Sequence, residues 1–560
     1  MKRLFVVFLL TAVLAMPLPS MLAQRKGKPK ASAPVSVATQ RGVDGITADQ
    51  MRAFLTFIAS DEMEGRDTPS RGLDTTAKFI AMNLSRWGFK PAGDSGTYFQ
   101  RIGLRRDRVD TAQTRAEFNG QGLALGDDYL PSSNTANASG QLVFAGNGWF
   151  IKAKSIDAYK DVDAKGKIAV VFGTPNAFPR GLRPQDLTGQ KQGEDFMNPT
   201  DYARKQGVVG IVYVPGFQYL ANWQLNRQRI VERGTTQIAA APRANAPAPA
   251  PIPYIVVTPR VANLLFAGEG PQRSATALFD AAYGTAMPAS FALNSAKTLS
   301  INIAAKTETV PTQNVVAVWE GSDPVLKDEY VALGAHYDHV GIGNPVNGDS
   351  IYNGADDDGS GTTALLAMAE ALGHTTPRPK RSVLFVWHCG EEKGLWGSRY
   401  FTDNPTVPLD HIVAQINIDM IGRSKKEGDT NPRNRDLSGP NDVYVIGSTM
   451  MSTELGDVTL ATNKAFLNLN YDLHYDDPKD PNRFFFRSDH YNYARKGIPI
   501  IFFFDGVHED YHQPGDEPQK IDYQKIEKVT RTVYMTLWEV ASRATRPKVD
   551  KPLPAQLAGN

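Results

Sequence analysis

Apolar positions near the start of the chain recur at helical spacing. Between 47 and 60, Met51, Phe54, Leu55 and Ile58 fall on one face, and between 73 and 87 Ala77, Ile80, Ala81 and Leu84 do the same. Gly88 then supplies a stop. From about residue 130 the pattern shortens to β-branched runs at 142–146, 167–172, 210–214 and 254–257, with a short helical stretch at 200–207. That predicts a mainly β insertion with one or two helices. An Ala/Pro stretch at 239–253 inside it reads as a loop.

Beyond residue 314 apolar runs and helical patterns alternate. Strands are expected at 314–319, 330–334, 382–387, 412–418, 443–446 and 499–504, and helices at 360–372, 395–401, 490–496 and 523–544. Near-continuous apolar strands separated by helices predict an α/β unit, a mostly parallel mixed sheet sandwiched by helices. The main unit is therefore expected at 41–128 and 291–545, interrupted by the insertion at 129–290 and followed by a tail at 546–560. No internal repeat is found.

The first residues change the picture of where the chain works. Lys2 and Arg3 precede an apolar run at 4–16 that is too short to span a bilayer, and 17–23 end in small residues. A signal peptide at 1–23 and a flexible linker at 24–40 are expected, hence an exported protein, periplasmic or secreted. No later run has the apolarity of a transmembrane helix, so no integral membrane segment is expected after signal cleavage.

Charge and cysteine usage narrow the chemistry. A formal net charge of +2 over 560 residues gives no basis for a nucleic-acid partner. Cys389 is the one cysteine, so any bound metal must be held by His, Asp and Glu and not by thiolates. All nine histidines lie between His336 and His512.

Within that interval, metal-type side chains stand at the ends of expected strands. His336-Tyr-Asp338 follows one, Glu391-Glu392 a second and Asp419 a third, on the edge where open α/β sheets build sites. Asp338 suits the orienting of a histidine. Gly354-Ala-Asp-Asp-Asp-Gly-Ser-Gly361 places three carboxylates before a helix, a costly arrangement unless cations or backbone donors compensate it. Ser360 reads as the N-cap of that helix.

His336-Tyr-Asp338, Asp357 in GADDDGSG, Glu391-Glu392 before Lys-Gly-Leu-Trp-Gly-Ser, and Asp419 in Asn-Ile-Asp-Met resemble the co-catalytic zinc exopeptidases. That family includes bacterial leucyl-type aminopeptidases and glutamate carboxypeptidase. Its last ligand is a histidine near the C-terminus, often preceded by Tyr, and Tyr511-His512 fits that place. The resemblance implies two Zn²⁺ per chain, with Co²⁺ or Mn²⁺ as substitutes. His336 and Asp419 would hold one ion, Glu392 and His512 the other, and Asp357 would bridge them, followed by a cis peptide bond. Asp356 and Asp358 become supporting acids. The two ions would share and activate a water, Glu391 would be the general base, and Tyr511 a donor to the oxyanion.

The remaining histidines receive plainer readings. His339, His374, His411 and His474 are expected in loops or on the surface, and His388 and Cys389 in packing. His490 is expected beside the site, and His508 competes with His512 until the Tyr-His pairing decides for the latter. In the insertion, Leu142-Val-Phe-Ala-Gly-Asn-Gly, Asp163-Ala-Lys-Gly-Lys167-Ile-Ala-Val-Val and Ala203-Arg-Lys-Gln-Gly-Val-Val-Gly resemble a protease-associated domain.

The function so implied is a zinc-dependent exopeptidase acting on peptides, an aminopeptidase by the look of its motifs. Alternatives are a carboxypeptidase or dipeptidase of the same family, a glutaminyl cyclase, and a non-catalytic receptor-like domain.

Overall fold

The computed structural model describes residues 37–175, 177–187, 189–239, 250–283, 289–551 and 553. The expected leader, the linker as far as residue 36 and residues 240–249 of the Ala/Pro stretch lie outside them.

The helical spacing at the start becomes Ala48–Ile58 and Arg71–Arg86. Thr47 and Ser70 cap them, each side-chain oxygen accepting from the backbone N–H three residues on. Gly88, at φ 81°, turns the chain out of the second helix in a backbone region that favours glycine.

A ten-stranded mixed sheet forms the main unit. Its centre is parallel, in the spatial order Ser382–His388, Tyr330–His336, Ile412–Ile418, Ile500–Phe504. Antiparallel strands extend it on both sides: Ala305–Trp319 and Phe99–Val109 at one, Asp442–Ile446 at the other. Every residue of the four central strands is buried except Tyr330, which is half-buried. Strand alternation sorts them between two cores. Val331, Leu333, Phe385 and Trp387 meet the helices Gly359–Gly373 and Tyr523–Ser542 on one face. Ala332, Leu384, Val386 and Phe502 pack with Phe401 and Tyr493 on the other. Each such large apolar side chain contributes about 1.5–3 kcal/mol, so the centre of the sheet is the firmest platform available for a site.

A second, nine-stranded sheet lies in the inserted region. Ala136–Phe144, Ile168–Phe172, Gly210–Val214 and Tyr254–Val257 run parallel in it, accompanied by the helices Pro199–Lys205, Pro259–Phe266 and Ala275–Tyr283. This sheet reaches past the expected 129–290, because Arg115–Phe118 and Thr298–Ile303 pair within it. They continue a long antiparallel ribbon, Phe99–Val109 against Ala305–Trp319, which carries the chain out of the main unit and back. Thr235–Ile238, from within the inserted region, pairs with Phe99–Val109 and so joins the large sheet. The ribbon is hard to read from sequence: Ile102 and Leu104 are buried but sit among Arg101, Arg105, Arg106 and Arg108. The helix Thr453–Ala465, capped by Ser452, was likewise not expected; only Leu455 and Val458 among its large apolar residues are buried.

Candidate metal centre

Adjacent parallel strands bring the candidate residues together at their carboxyl ends. His336 is the last residue of Tyr330–His336, Asp419 follows Ile412–Ile418, and Glu391 and Glu392 lie three and four residues past Ser382–His388. Gly390 (φ 67°) and Gly394 (φ 98°) bracket the two glutamates in an irregular turn, which lets both reach one side. His512 sits at φ 54°, a left-handed conformation uncommon for a non-glycine residue and concentrated at functional sites.

Two sets of ligand atoms result, and Asp357 belongs to both. Asp357, Glu392 and His512 converge with His339, while Asp357, His336 and Asp419 converge beside them. His336 Nε2 lies 3.2 Å from Asp357 Oδ1 and 3.6 Å from Asp419 Oδ1. His512 Nε2 lies 3.0 Å from both Asp357 Oδ2 and Glu392 Oε2. These are ion-pair distances without hydrogen-bond alignment. His336 Nε2, Asp357 Oδ2, Glu392 Oε1 and His512 Nε2 are buried with no hydrogen-bond partner among the described residues. A cation satisfies such atoms where neighbouring side chains do not, so the donor set fits a pair of metal ions.

The surroundings hold these side chains in place. His336 Nδ1 is 3.1 Å from the Asp338 carbonyl oxygen, which leaves Nε2 facing the site. The Asp338 carboxylate instead accepts the backbone N–H of Glu391 and the hydroxyl of Thr68. Asp358, and not Ser360, caps the helix Gly359–Gly373, accepting from Gly361 N–H; it also accepts from the backbone N–H of His336 and Met420. Ser360 turns its hydroxyl to the Asp356 carbonyl. Asp356 accepts from Gly422 N–H and faces His508 Nε2 at 3.3 Å. The peptide bond between Asp357 and Asp358 is cis.

The electrostatics favour added positive charge. Burial opposes ionisation of Asp357, yet His336, His512 and the nearby His339 hold its carboxyl well below the usual range. Burial works against a charged His512 as well, but Asp357 and Glu392 push it up to about 10. His336 is raised by Asp419 and Glu391 against the same opposition. Glu391 moves the other way to its ligand neighbour: burial first, then Glu392, Asp419 and Asp489, push its carboxyl well above the ordinary value.

Of the expected site residues, the structure brings His336, Asp357, Glu391, Glu392, Asp419, Tyr511 and His512 to one place. Tyr511 stacks on His512 with ring centroids 3.9 Å apart. His374 and His474 are exposed and His411 half-buried, as expected of loop residues. His388 is a packing residue, 3.0 Å from the Tyr493 hydroxyl and 3.3 Å from Asp489. His490 stacks on Phe502 instead of touching the ligand set, and burial lowers it to about 3.

His339 is the clear correction. The expectation of a surface or loop histidine fails, because it is fully buried with Nδ1 2.8 Å from Glu392 Oε1. Arg66 and Asp516 were missed altogether. Buried Arg66 donates to the carbonyls of Ile58, Tyr337, Asn353 and Gly354, tying the two ligand loops together. Asp516 accepts from the backbone N–H of Asp356 and Asp357. Its place four residues after His512 was the available signal.

Residues 314–537 match the profile of Peptidase family M28. Leucine aminopeptidase 2 of Arthroderma otae is 26% identical over 282 residues, 45% of this chain and 50% of the relative. The chain thus spans about half the length of that relative. Leucine aminopeptidase 2 of Trichophyton rubrum is 24% identical over 468 residues, 77% of this chain and 86% of the relative. Among solved structures, an aminopeptidase from Aneurinibacillus sp. strain AM-1 superposes with a TM-score of 0.51 at 16% identity, covering 91% of this chain and 98% of the other, which is a likeness of fold. The converging residues His336, Asp357, Glu392, Asp419 and His512 all lie inside the stretch that is similar to Peptidase family M28.

Proposed function

We propose that this chain is a two-zinc aminopeptidase that removes the N-terminal residue of peptides after export. The observation carrying this reading is the pair of ligand sets joined through Asp357. His336 and Asp419 would hold one ion and Glu392 and His512 the other. When bound, the metal supplies Lewis acidity toward water and the scissile carbonyl. Cobalt or manganese could replace zinc on the same ligands.

The chain's own groups divide the remaining work. Glu391 is oriented by the Asp338 contact to its backbone and is 12% exposed at the side chain. Its raised affinity for a proton suits a base that takes one from the attacking water and passes it to the leaving amine. Tyr511 lines the same cavity, and its hydroxyl would donate to the carbonyl oxygen as charge develops. Met420, Phe484, Phe502, Phe504 and Val507 line that cavity together with Arg487, and give it a largely apolar wall for the side chain of the residue being removed. The leucine aminopeptidases among the relatives support the same direction of attack. The inserted unit we read as a protease-associated module, on the strength of its motifs and its place between the two halves of the main unit.

Matched peptides with free and acetylated N-termini, incubated with zinc-loaded protein with and without chelator, test the reading. Chelator-sensitive release of the N-terminal residue from the free-amine peptide alone is expected. Release from the C-terminus of both peptides would move the chain to the carboxypeptidases, and cyclisation of an N-terminal glutamine without hydrolysis to the cyclases.

A further inference from the structure

His339 is the one member of the converging groups that the five-residue ligand set leaves without a part. Its side chain has no exposure at all, and neither ring nitrogen has a hydrogen-bond partner among the described residues. A buried imidazole with both nitrogens unsatisfied is costly, because each polar group has lost water without gaining a partner. Nδ1 points to the site: it lies 2.8 Å from Glu392 Oε1 and 3.7 Å from Asp357 Oδ2, and its ring centroid is 5.5 Å from that of His512.

The backbone is built around this placement. The His339 N–H donates to the carbonyl of Arg66, whose guanidinium grips Tyr337, Asn353 and Gly354. Gly354 lies against the ring: a Cβ there would stand 2.4 Å from His339 Cγ, so any side chain would displace the imidazole. Two residues either side of the ligand loop are thus shaped to keep His339 where it is.

We infer that His339 is a metal ligand through Nδ1, so that the ion on Glu392 and His512 is held by four protein side chains: His339, Asp357, Glu392 and His512. This rests on the two-zinc reading of the site. The ion on His336, Asp357 and Asp419 then has three. Four protein ligands close a tetrahedral zinc site in the manner of structural sites, while three leave a position for water or substrate. The two ions are therefore unequal: the four-ligand site fills first and holds its metal more tightly, and the three-ligand site is the exchangeable one.

X-ray absorption at the zinc edge of the wild-type protein carrying one zinc per chain tests this directly. Two imidazoles on that zinc are expected; a single imidazole overturns the assignment and leaves the two-zinc reading intact, whereas a protein that binds no zinc overturns both. His339→Gln supplies the second measurement, since a glutamine amide can donate to Glu392 but is a poor zinc ligand. Titration with Co²⁺ should show the tighter site weakened by more than the roughly 10–100-fold that loss of an outer hydrogen-bonding partner costs. Loss of its tetrahedral absorption is expected too, with the weaker site unchanged. Wild-type affinities and spectrum at both sites in the variant would overturn the proposal.

Discussion

In the large sheet and in the inserted one, parallel strands of buried residues end at a shared edge, but the side chains beyond that edge differ. Past Tyr330–His336, Ser382–His388 and Ile412–Ile418 come His339, Glu391, Glu392 and Asp419. Past Ile168–Phe172 and Gly210–Val214 come Gly173, Thr174, Pro215 and Gly216, and a cavity lined by Phe172, Val214, Tyr219 and Arg180. Strand packing sets both edges by the same rule, burial of alternate apolar side chains on two faces. The chemistry is added afterwards, by residues that contribute little to holding the sheet. At the first edge, carboxylates crowd at a density that favours a cation; at the second, nothing requires one.

The largest expected effect separates chemistry from metal holding at the first edge. Glu391 contacts the ligand set but has its own orientation through Asp338. Glu391→Gln should therefore lower kcat about 10²–10⁴-fold, the range for a general base, with two zinc ions still counted per chain. Near-normal kcat in the pure variant would remove Glu391 from that role.

Metal removal should act on one edge and spare the other, with a smaller effect. A ligand at about a hundredfold excess over its Kd stabilises the folded state by about 2.7 kcal/mol. Chelation should lower amide-exchange protection in Tyr330–His336 and Ile412–Ile418 about a hundredfold where exchange follows opening of the large sheet. Ile168–Phe172 and Gly210–Val214 should exchange as before. Equal loss in both sheets would mean that they open as one unit, and the comparison between the edges would fail as a statement about stability.

How far the sequence carried this picture depends on range. The central strands and their helices were legible because each is a short run of one periodicity; strand ends pointed to His336, Glu391, Glu392 and Asp419, whereas Asp357 and His512 entered the expected set through the family resemblance alone. The Phe99–Val109 strand was not legible, since its partner Ala305–Trp319 lies about two hundred residues on and its charged positions outnumber its buried apolar ones. His339 was misread for a related reason. Three residues after His336, it gives no local sign of burial; what buries it is Gly354 and the Arg66 clamp, one from the next loop and one from the start of the chain. Ser360 was taken as the helix cap because serine is a common cap. Asp358 holds the place because the same carboxylate also collects the backbone N–H groups of His336 and Met420, a demand visible only once the strands are assembled.

The smallest expected effect tests whether the second edge is as silent as its side chains suggest. Arg180 is the one charged residue lining that cavity among the described residues, and it is exposed. It stands on the inserted sheet's own edge, away from the residues that line the Glu391 cavity. Arg180→Ala should leave kcat/KM for a short free-amine peptide within about twofold, since an exposed substitution without partners shifts energies by no more than roughly 0.5 kcal/mol. The informative comparison is between peptide lengths. If Arg180→Ala leaves dipeptides untouched but weakens longer peptides through KM, the second cavity lies on the path of the substrate's distal end, and the two edges belong to one binding surface. If neither length responds, the inserted edge is a cavity formed by packing alone, and the difference between the two sheets is complete.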